Sequence, residues 1–117
     1  MGNIRVIIAG GRSFNHYGLL NERCSFFIGS RAATIISGTA QGADKFGELF
    51  ASEHGHGLER HPAEWERYGK RAGYVRNEAM AKVADCLIAF WDGKSRGTKH
   101  MINLAKKHGL KVRVVKY

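Results

Sequence analysis

Three short glycine-bearing stretches hold the residue types that can do chemistry. They are Gly10-Gly11-Arg12-Ser13-Phe14, Ser37-Gly38-Thr39-Ala40-Gln41-Gly42-Ala43-Asp44 and Asp92-Gly93-Lys94-Ser95-Arg96-Gly97-Thr98. Glycine lets backbone N–H groups approach a ligand closely, and a helix starting just after such a loop adds a partial positive charge. Phosphate is the natural occupant, with Arg12 as a charge-assisted fork and Ser95 and Thr98 as hydroxyl donors. For any one loop a tight strand-to-helix turn is explanation enough. Three loops converging on one sheet edge favour a phosphate or nucleotide site. No G-x-x-x-x-G-K-[ST] and no G-x-G-x-x-G occurs, which disfavours a Walker-type site and standard dinucleotide binding.

Other residues have two readings each. Asp44 either N-caps the helix that follows it or accepts a ribose hydroxyl. The stretch His61–Gly73 is dense in aromatic and basic residues. It is either a lid that stacks Trp65 or Tyr68 on a base, or a connection whose aromatics plug the core. Arg76-Asn77 opens a helix toward the same edge, which favours a ligand role. Trp91 ends a strand beside the third loop and reads as core or as a base platform. The histidines (His16, His54, His56, His61, His100 and His108) show no H-E-x-x-H or Cys/His spacing, so no metal is expected. Ser37-Gly38 lacks the G-x-S-x-G elbow of a serine hydrolase.

These loops need elements to hold them. Ile4–Ala9 is apolar apart from Arg5, the pattern of a strand buried on both faces. Leu20, Cys24, Phe27 and Ile28 form one helical stripe. Ala33–Ser37 reads as a second strand. Phe46, Leu49 and Phe50 mark a second helix, stopped at Gly55 or Gly57. Leu58–His61 is a short polar edge strand. Ala72, Val75, Ala79 and Val83 recur at helical spacing, and Cys86–Trp91 is the next buried strand. Thr98, Met101, Ile102 and Ala105 form the last helical stripe, closed by Gly109 before a final strand at Lys111–Lys116. This order, βαβαβ then a polar connection then αβαβ, predicts a Rossmann-like α/β three-layer sandwich. Its parallel five-stranded sheet carries helices on both faces.

Composition agrees with one domain. The chain has 117 residues, 44% hydrophobic and 25% charged, enough for a core without disulfide staples. Cys24 and Cys86 lie far apart in apolar stretches, as expected of two buried, reduced thiols. No apolar run reaches the roughly 18 residues a membrane span needs, so no membrane partner is expected. Met1–Ala9 is too short for a signal peptide and leads straight into a strand, so the chain is expected in the cytoplasm. The net charge of +9 attracts polyanions, making nucleic acid a candidate partner beside small phosphorylated ligands. The basic residues are scattered, however, with Lys70-Arg71 and Lys106-Lys107 the only doublets.

The order of motifs resembles the SLOG superfamily of Rossmann-like domains. The residues that carry the resemblance are Gly10-Gly11-Arg12-x-Phe14, Ser37-Gly38-x-Ala40-x-Gly42-Ala43-Asp44 and Pro62-Ala63-x-Trp65-x-x-Tyr68-Gly69-Lys70. Arg76-Asn77-x-x-Met80, Ala84-Asp85-x-x-Ile88-Ala89-Phe90-Trp91 and Gly93-x-Ser95-x-Gly97-Thr98 continue it. The branch it looks like is the YspA-like group of small bacterial and phage proteins. The resemblance implies binding of a nucleotide-derived ligand, by a sensor or sequestering domain, with no cofactor. The superfamily's lonely-guy phosphoribohydrolases cleave nucleoside monophosphates with an arginine from R-K-x-x-M and a glutamate from P-G-G-x-G-T-x-x-E. Arg76, Met80 and Gly97-Thr98 fall on those motifs. Trp91 replaces the proline, the last loop is longer, and Met101 takes the glutamate position. Arg76 with His100, Asp92, Asp44 or Glu78 as a replacement group are then the catalytic candidates for an N-glycosidase. The DprA branch implies single-stranded DNA as a further alternative. Dimerisation through helices is common in the superfamily, and Leu20, Phe26, Phe27 and Ile28 offer an apolar stripe for a homodimer or tetramer. The expected ligand set is Gly10, Gly11, Arg12, Phe14, Ser37, Gly38, Gly42, Asp44, Trp65, Arg76, Asn77, Trp91, Gly93, Ser95, Gly97 and Thr98.

Overall fold

The run Val6-Ile7-Ile8-Ala9 has no polar side to turn toward water, and it becomes the central strand. In the computed structural model, which describes residues 3–117, Ile7 and Ile8 are 0% exposed. Met1 and Gly2 of the expected lead-in lie outside the described residues. Strand β1 (Ile4–Gly10) pairs in parallel with β2 (Ala33–Ser37), Ile7 opposite Ile36, and with β4 (Cys86–Trp91), Ile7 opposite Leu87. Strands β3 (Gly57–Arg60) and β5 (Lys111–Lys116) form the edges, giving the order β3-β2-β1-β4-β5. The α/β class and the parallel five-stranded sheet expected from the pattern are present.

Because side chains alternate along a strand, β1 feeds two cores. Val6 and Ile8 face α1 (Tyr17–Ile28) and α2 (Ala43–His54), packing with Leu20, Cys24, Ile35 and Phe50. Ile7 and Ala9 face α4 (Ala72–Val83) and α5 (Arg96–Lys107), packing with Ile36, Met80, Leu87 and Met101. Full burial of each such side chain stabilises by about 1.5–3 kcal/mol. Arg5 escapes burial as a free charge: its Nε donates to the Val83 carbonyl and its Nη2 to Glu59, both at 2.6 Å. Helix α2 stops at Gly55, whose φ of 69° is the left-handed cap a glycine adopts without strain. Helix α5 starts at Ser95, whose Oγ accepts the Thr98 amide at 3.4 Å.

Several sequence readings need correction. The stripe Ala72, Val75, Ala79 and Val83 is not the buried face of α4. Ala72 is buried, but the others face outward or lie half-covered, and Asn77, Met80 and Ala81 turn inward. Leu49 is 42% exposed rather than core. The polar connection is partly helical, with α3 (Trp65–Tyr68) and a 3-10 turn (Gly69–Arg71). Leu20 and Ile28 are sealed inside the chain's own core, so the stripe they share with Phe26 and Phe27 offers no continuous surface. Cys24 is buried, and burial pushes its thiol up to about 12. Cys86 is only half-buried, and both cysteines are free thiols. Among the described residues, no helix is long and apolar enough to cross a membrane.

Candidate functional site

The chain runs from β1 outward to β3 and then returns to place β4 on the other side of β1. Loops leaving β1 and β4 therefore diverge, and a crevice opens beyond the carboxyl ends of the strands. A two-lobed cleft occupies that crevice. The inner lobe, about 320 Å³, is lined by Gly10, Arg12, Asp44, Lys70, Tyr74, Arg76, Asn77, Gly97 and Thr98, with Met80 and Met101 among the apolar lining. The outer lobe, about 330 Å³, is lined by Gly38, Thr39, Gln41, Pro62 and Ala63. Arg12, Ala40, Trp65 and Arg76 border both.

Arg76 is positioned from two sides. Its Nη1 donates to the Gly38 carbonyl and its Nε to Asn77 Oδ1 at 2.9 Å. Burial pulls the guanidinium below its usual range; Asp44 opposes that shift and the nearby Arg12 adds to it. Arg12 is exposed and makes no hydrogen bond or ion pair among the described residues. Asn77 is buried, and its Nδ2 donates to the Gly97 carbonyl at 3.4 Å and to His100 Nδ1 at 3.1 Å. One amide therefore ties Arg76 to the first turn of α5. That turn presents the amides of Arg96 and Gly97, which find no acceptor among the described residues, as expected at a helix N-terminus. A Cβ on Gly97 would meet nothing within 4 Å, so the turn faces open cleft.

Asp44 neither caps α2 nor stands free. Gly42 is the N-cap residue, and Asp44 lies in the first turn with its Oδ2 accepting the Ala40 amide at 3.1 Å. Burial pushes its carboxyl up to about 6, against the pull of the Ala40 amide, Arg76 and the Gly10 amide. Near neutral pH it is a poorly solvated carboxylate in a cationic cleft. It can accept a hydroxyl from a ligand, while anions are better met by the arginines and the helix terminus.

The expected set divides on inspection. Gly10, Arg12, Asp44, Trp65, Arg76, Asn77, Ser95, Gly97 and Thr98 line the inner lobe, and Gly38 lines the outer one. Phe14 does not; its ring packs on Phe90 and Tyr117 at centroid distances of 5.0 and 4.9 Å. Ser37 is fully buried, donating to Glu48 at 2.7 Å. Gly11 and Gly42 are glycine for packing: a Cβ would fall 2.2 Å from the Tyr117 hydroxyl and 2.3 Å from the Gly11 carbonyl, respectively. Trp91 and Gly93 line neither lobe: the Trp91 indole donates to the Ser95 carbonyl at 3.0 Å, and Gly93 serves the third loop itself at a φ of 86°. Asp92 turns its carboxylate back on its own loop, accepting the Lys94 and Ser95 amides at 2.8 Å, which holds it below the usual carboxylate range. His100 packs against Tyr74 outside the lining, ring centroids 4.3 Å apart and tilted by 49°, and burial lowers its pKa, which favours the neutral ring. Glu78 pairs with His108 at 2.8 Å, away from the cleft. No group of residues suited to a metal ion is present among the described residues.

Sequence reasoning passed over Lys70, Tyr74 and Thr39. Tyr74 precedes Asn77 by one helical turn, a spacing that places it on the same wall. Thr39 is the only non-glycine residue with positive φ among the described residues, at 66°. A β-branched residue held there is strained, and nothing in its sequence signals it.

A parallel sheet in this order, with glycine loops at its carboxyl edge, defines an α/β domain of the Rossmann-like class. The chain belongs to the YspA, cpYpsA-related SLOG family, whose model matches residues 4–68. It is also 38% identical over 84 residues to the Gene 61 protein of Mycobacterium phage D29, an alignment covering 67% of each chain. No solved structure matches. Family membership points to a nucleotide-related function, by binding or by hydrolysis.

Proposed function

We propose that the cleft binds a phosphorylated, nucleotide-type ligand, and that the domain acts as a sensor or sequestering module. The observation that carries this is the convergence of unmatched positive potential. Unpaired Arg12, the half-used guanidinium of Arg76 and the free amides at the start of α5 meet in one lobe. A phosphate would take the α5 amides and the arginines, and Asp44 would receive a sugar hydroxyl. Trp65 and Tyr74, 54% and 48% exposed, offer faces for a base.

Titration calorimetry and thermal shift with the nucleoside mono- and diphosphates test the reading. A ligand at a hundred times its Kd should stabilise by about 2.7 kcal/mol. No stabilisation by any nucleotide would overturn it. Affinity that falls steeply with salt, with a slope near −0.7 per phosphate contacted, would instead indicate a single-stranded nucleic acid. Hydrolysis has less support, because Met101, which lies on the inner wall, stands where the resemblance to the lonely-guy phosphoribohydrolases calls for their glutamate. A thioether neither takes a proton from water nor stabilises a cationic sugar.

A further inference from the structure

The inner lobe accounts for a phosphate and a sugar, yet a second lobe of equal size opens from it. Each lobe lies near the lower end of the ligand-pocket range, roughly 300 Å³, which suits one nucleoside-sized body. The wall between them is not neutral. Arg12 and Arg76 border both lobes, close enough that Arg12 disfavours the Arg76 charge. No carboxylate lines the outer lobe. Asp44 offsets part of this cost for Arg76 from the inner-lobe side, but Arg12 is left without a counter-charge, so the neck still favours an anion laid across it. Trp65 stands at the same neck with its ring more than half exposed.

We infer that the ligand is two-armed: two nucleoside-like bodies, one per lobe, joined by a phosphoanhydride bridge that lies across Arg12 and Arg76. This rests on the nucleotide reading above and goes further by giving the outer lobe an occupant. A mononucleotide fills the inner lobe and leaves the outer one to water. The bridged ligand uses both lobes and brings its negative charge to the neck, where the unmatched cations are. Thr39, held at its positive φ, forms part of the outer wall, the kind of place where backbone strain accompanies binding.

The test compares adenosine and guanosine monophosphates with the diadenosine and diguanosine di- and triphosphates by titration calorimetry. At least one bridged compound should bind tenfold or more tightly than its mononucleotide. Two variants confined to the outer lobe separate the arms: Gln41→Glu adds a negative charge at an exposed position, and Ala63→Trp fills the space. Each should remove most of the bridged compound's advantage while leaving the mononucleotide Kd within twofold. Melting curves establish that both variants fold; should Ala63→Trp fail to, Gln41→Glu decides alone. Equal affinity for bridged and single nucleotides overturns the inference but leaves the nucleotide reading standing. So do outer-lobe variants that change neither Kd or both alike. Binding of neither class removes the nucleotide reading and the inference together.

Discussion

Replacing Gly97 separates a glycine needed for folding from one needed for a ligand. Gly97 is the second residue of α5, its φ is not positive, and an added Cβ meets nothing within 4 Å. A steric or torsional reason for glycine is therefore missing from the fold. In a helix, alanine is preferred over glycine by up to about 1 kcal/mol. Gly97→Ala should thus raise stability by about 0.5–1 kcal/mol, or roughly 2–5 °C in Tm for a domain of this size. Valine, whose β-branching offsets most of that gain, should leave Tm near the parent value. In the cleft the same methyl groups point where a phosphate oxygen would approach the free amides. Losing one charge-assisted hydrogen bond costs about 1.5–3 kcal/mol, which is about ten- to a hundredfold in Kd. Melting curves with and without nucleotide, read beside titration calorimetry, measure both effects on one sample. A variant that melts higher yet binds with parental affinity would show that this turn does not face the ligand. A variant that melts several degrees lower would show that glycine serves the turn itself.

Arg12→Ala and Arg76→Ala should each weaken nucleotide binding by about 1.5–3 kcal/mol. Arg12→Ala should leave Tm unchanged, because that side chain has no partner in the fold; two neutral results by calorimetry would remove both arginines from the site. Asp44 holds a proton up to about pH 6 in the native state, against an ordinary value of 3.8, so its contribution is lost as pH rises through that window. Asp44→Asn should therefore gain stability relative to the parent between pH 4 and 7, by on the order of 3 kcal/mol at most. Urea titrations giving the same difference at pH 5 and pH 7.5 would contradict that assignment. Thr39→Gly should stabilise by about 1 kcal/mol by relieving the positive φ, and a lower urea midpoint would refute it. Nucleoside monophosphates should not be hydrolysed at ordinary enzyme rates, about 1 per second or more, as base release by chromatography would reveal.

The strands were legible because a parallel sheet demands side chains apolar on both faces, and Ile4–Ala9 and Cys86–Trp91 have few other options. The stripe Thr98, Met101, Ile102 and Ala105 was equally plain, since α5 is otherwise polar apart from Gly97 and the half-buried Leu104. Helix α4 misled for a physical reason. Its inward face includes Asn77, a polar residue kept buried by three hydrogen bonds, so hydrophobic spacing favoured the wrong side. The glycine loops located the cleft, but glycine chemistry alone does not distinguish a ligand contact from close packing. Gly97 faces the open cleft and Gly11 and Gly42 accommodate neighbouring atoms, while Gly10 does both, lining the cleft although a Cβ there would fall 2.4 Å from the Phe90 carbonyl. Aromatic residues raised the same ambiguity. Trp65 remains exposed, whereas Phe14 and Trp91 were drawn into packing by partners distant in sequence.

The three bonds of the Asn77 amide also decide which wall of the cleft can move. Turning that amide over would set acceptor against acceptor at Gly97 and His100 and donor against donor at Arg76, so it has one orientation. Helices α4 and α5 are thereby locked into a single slab. The opposite lip, Pro62–Arg71, is built of a four-residue helix and a single 3-10 turn with no buried side chain in either. Any opening and closing of the cleft would therefore come from the lip, carrying Trp65 across a stationary slab. Backbone amides should record this as a sharp contrast in solvent exchange, fast at Trp65–Arg71 and slow from Met101 onward in α5. A ligand that seats under Trp65 would slow the fast side alone. The cleft would then work as a jaw with one moving half.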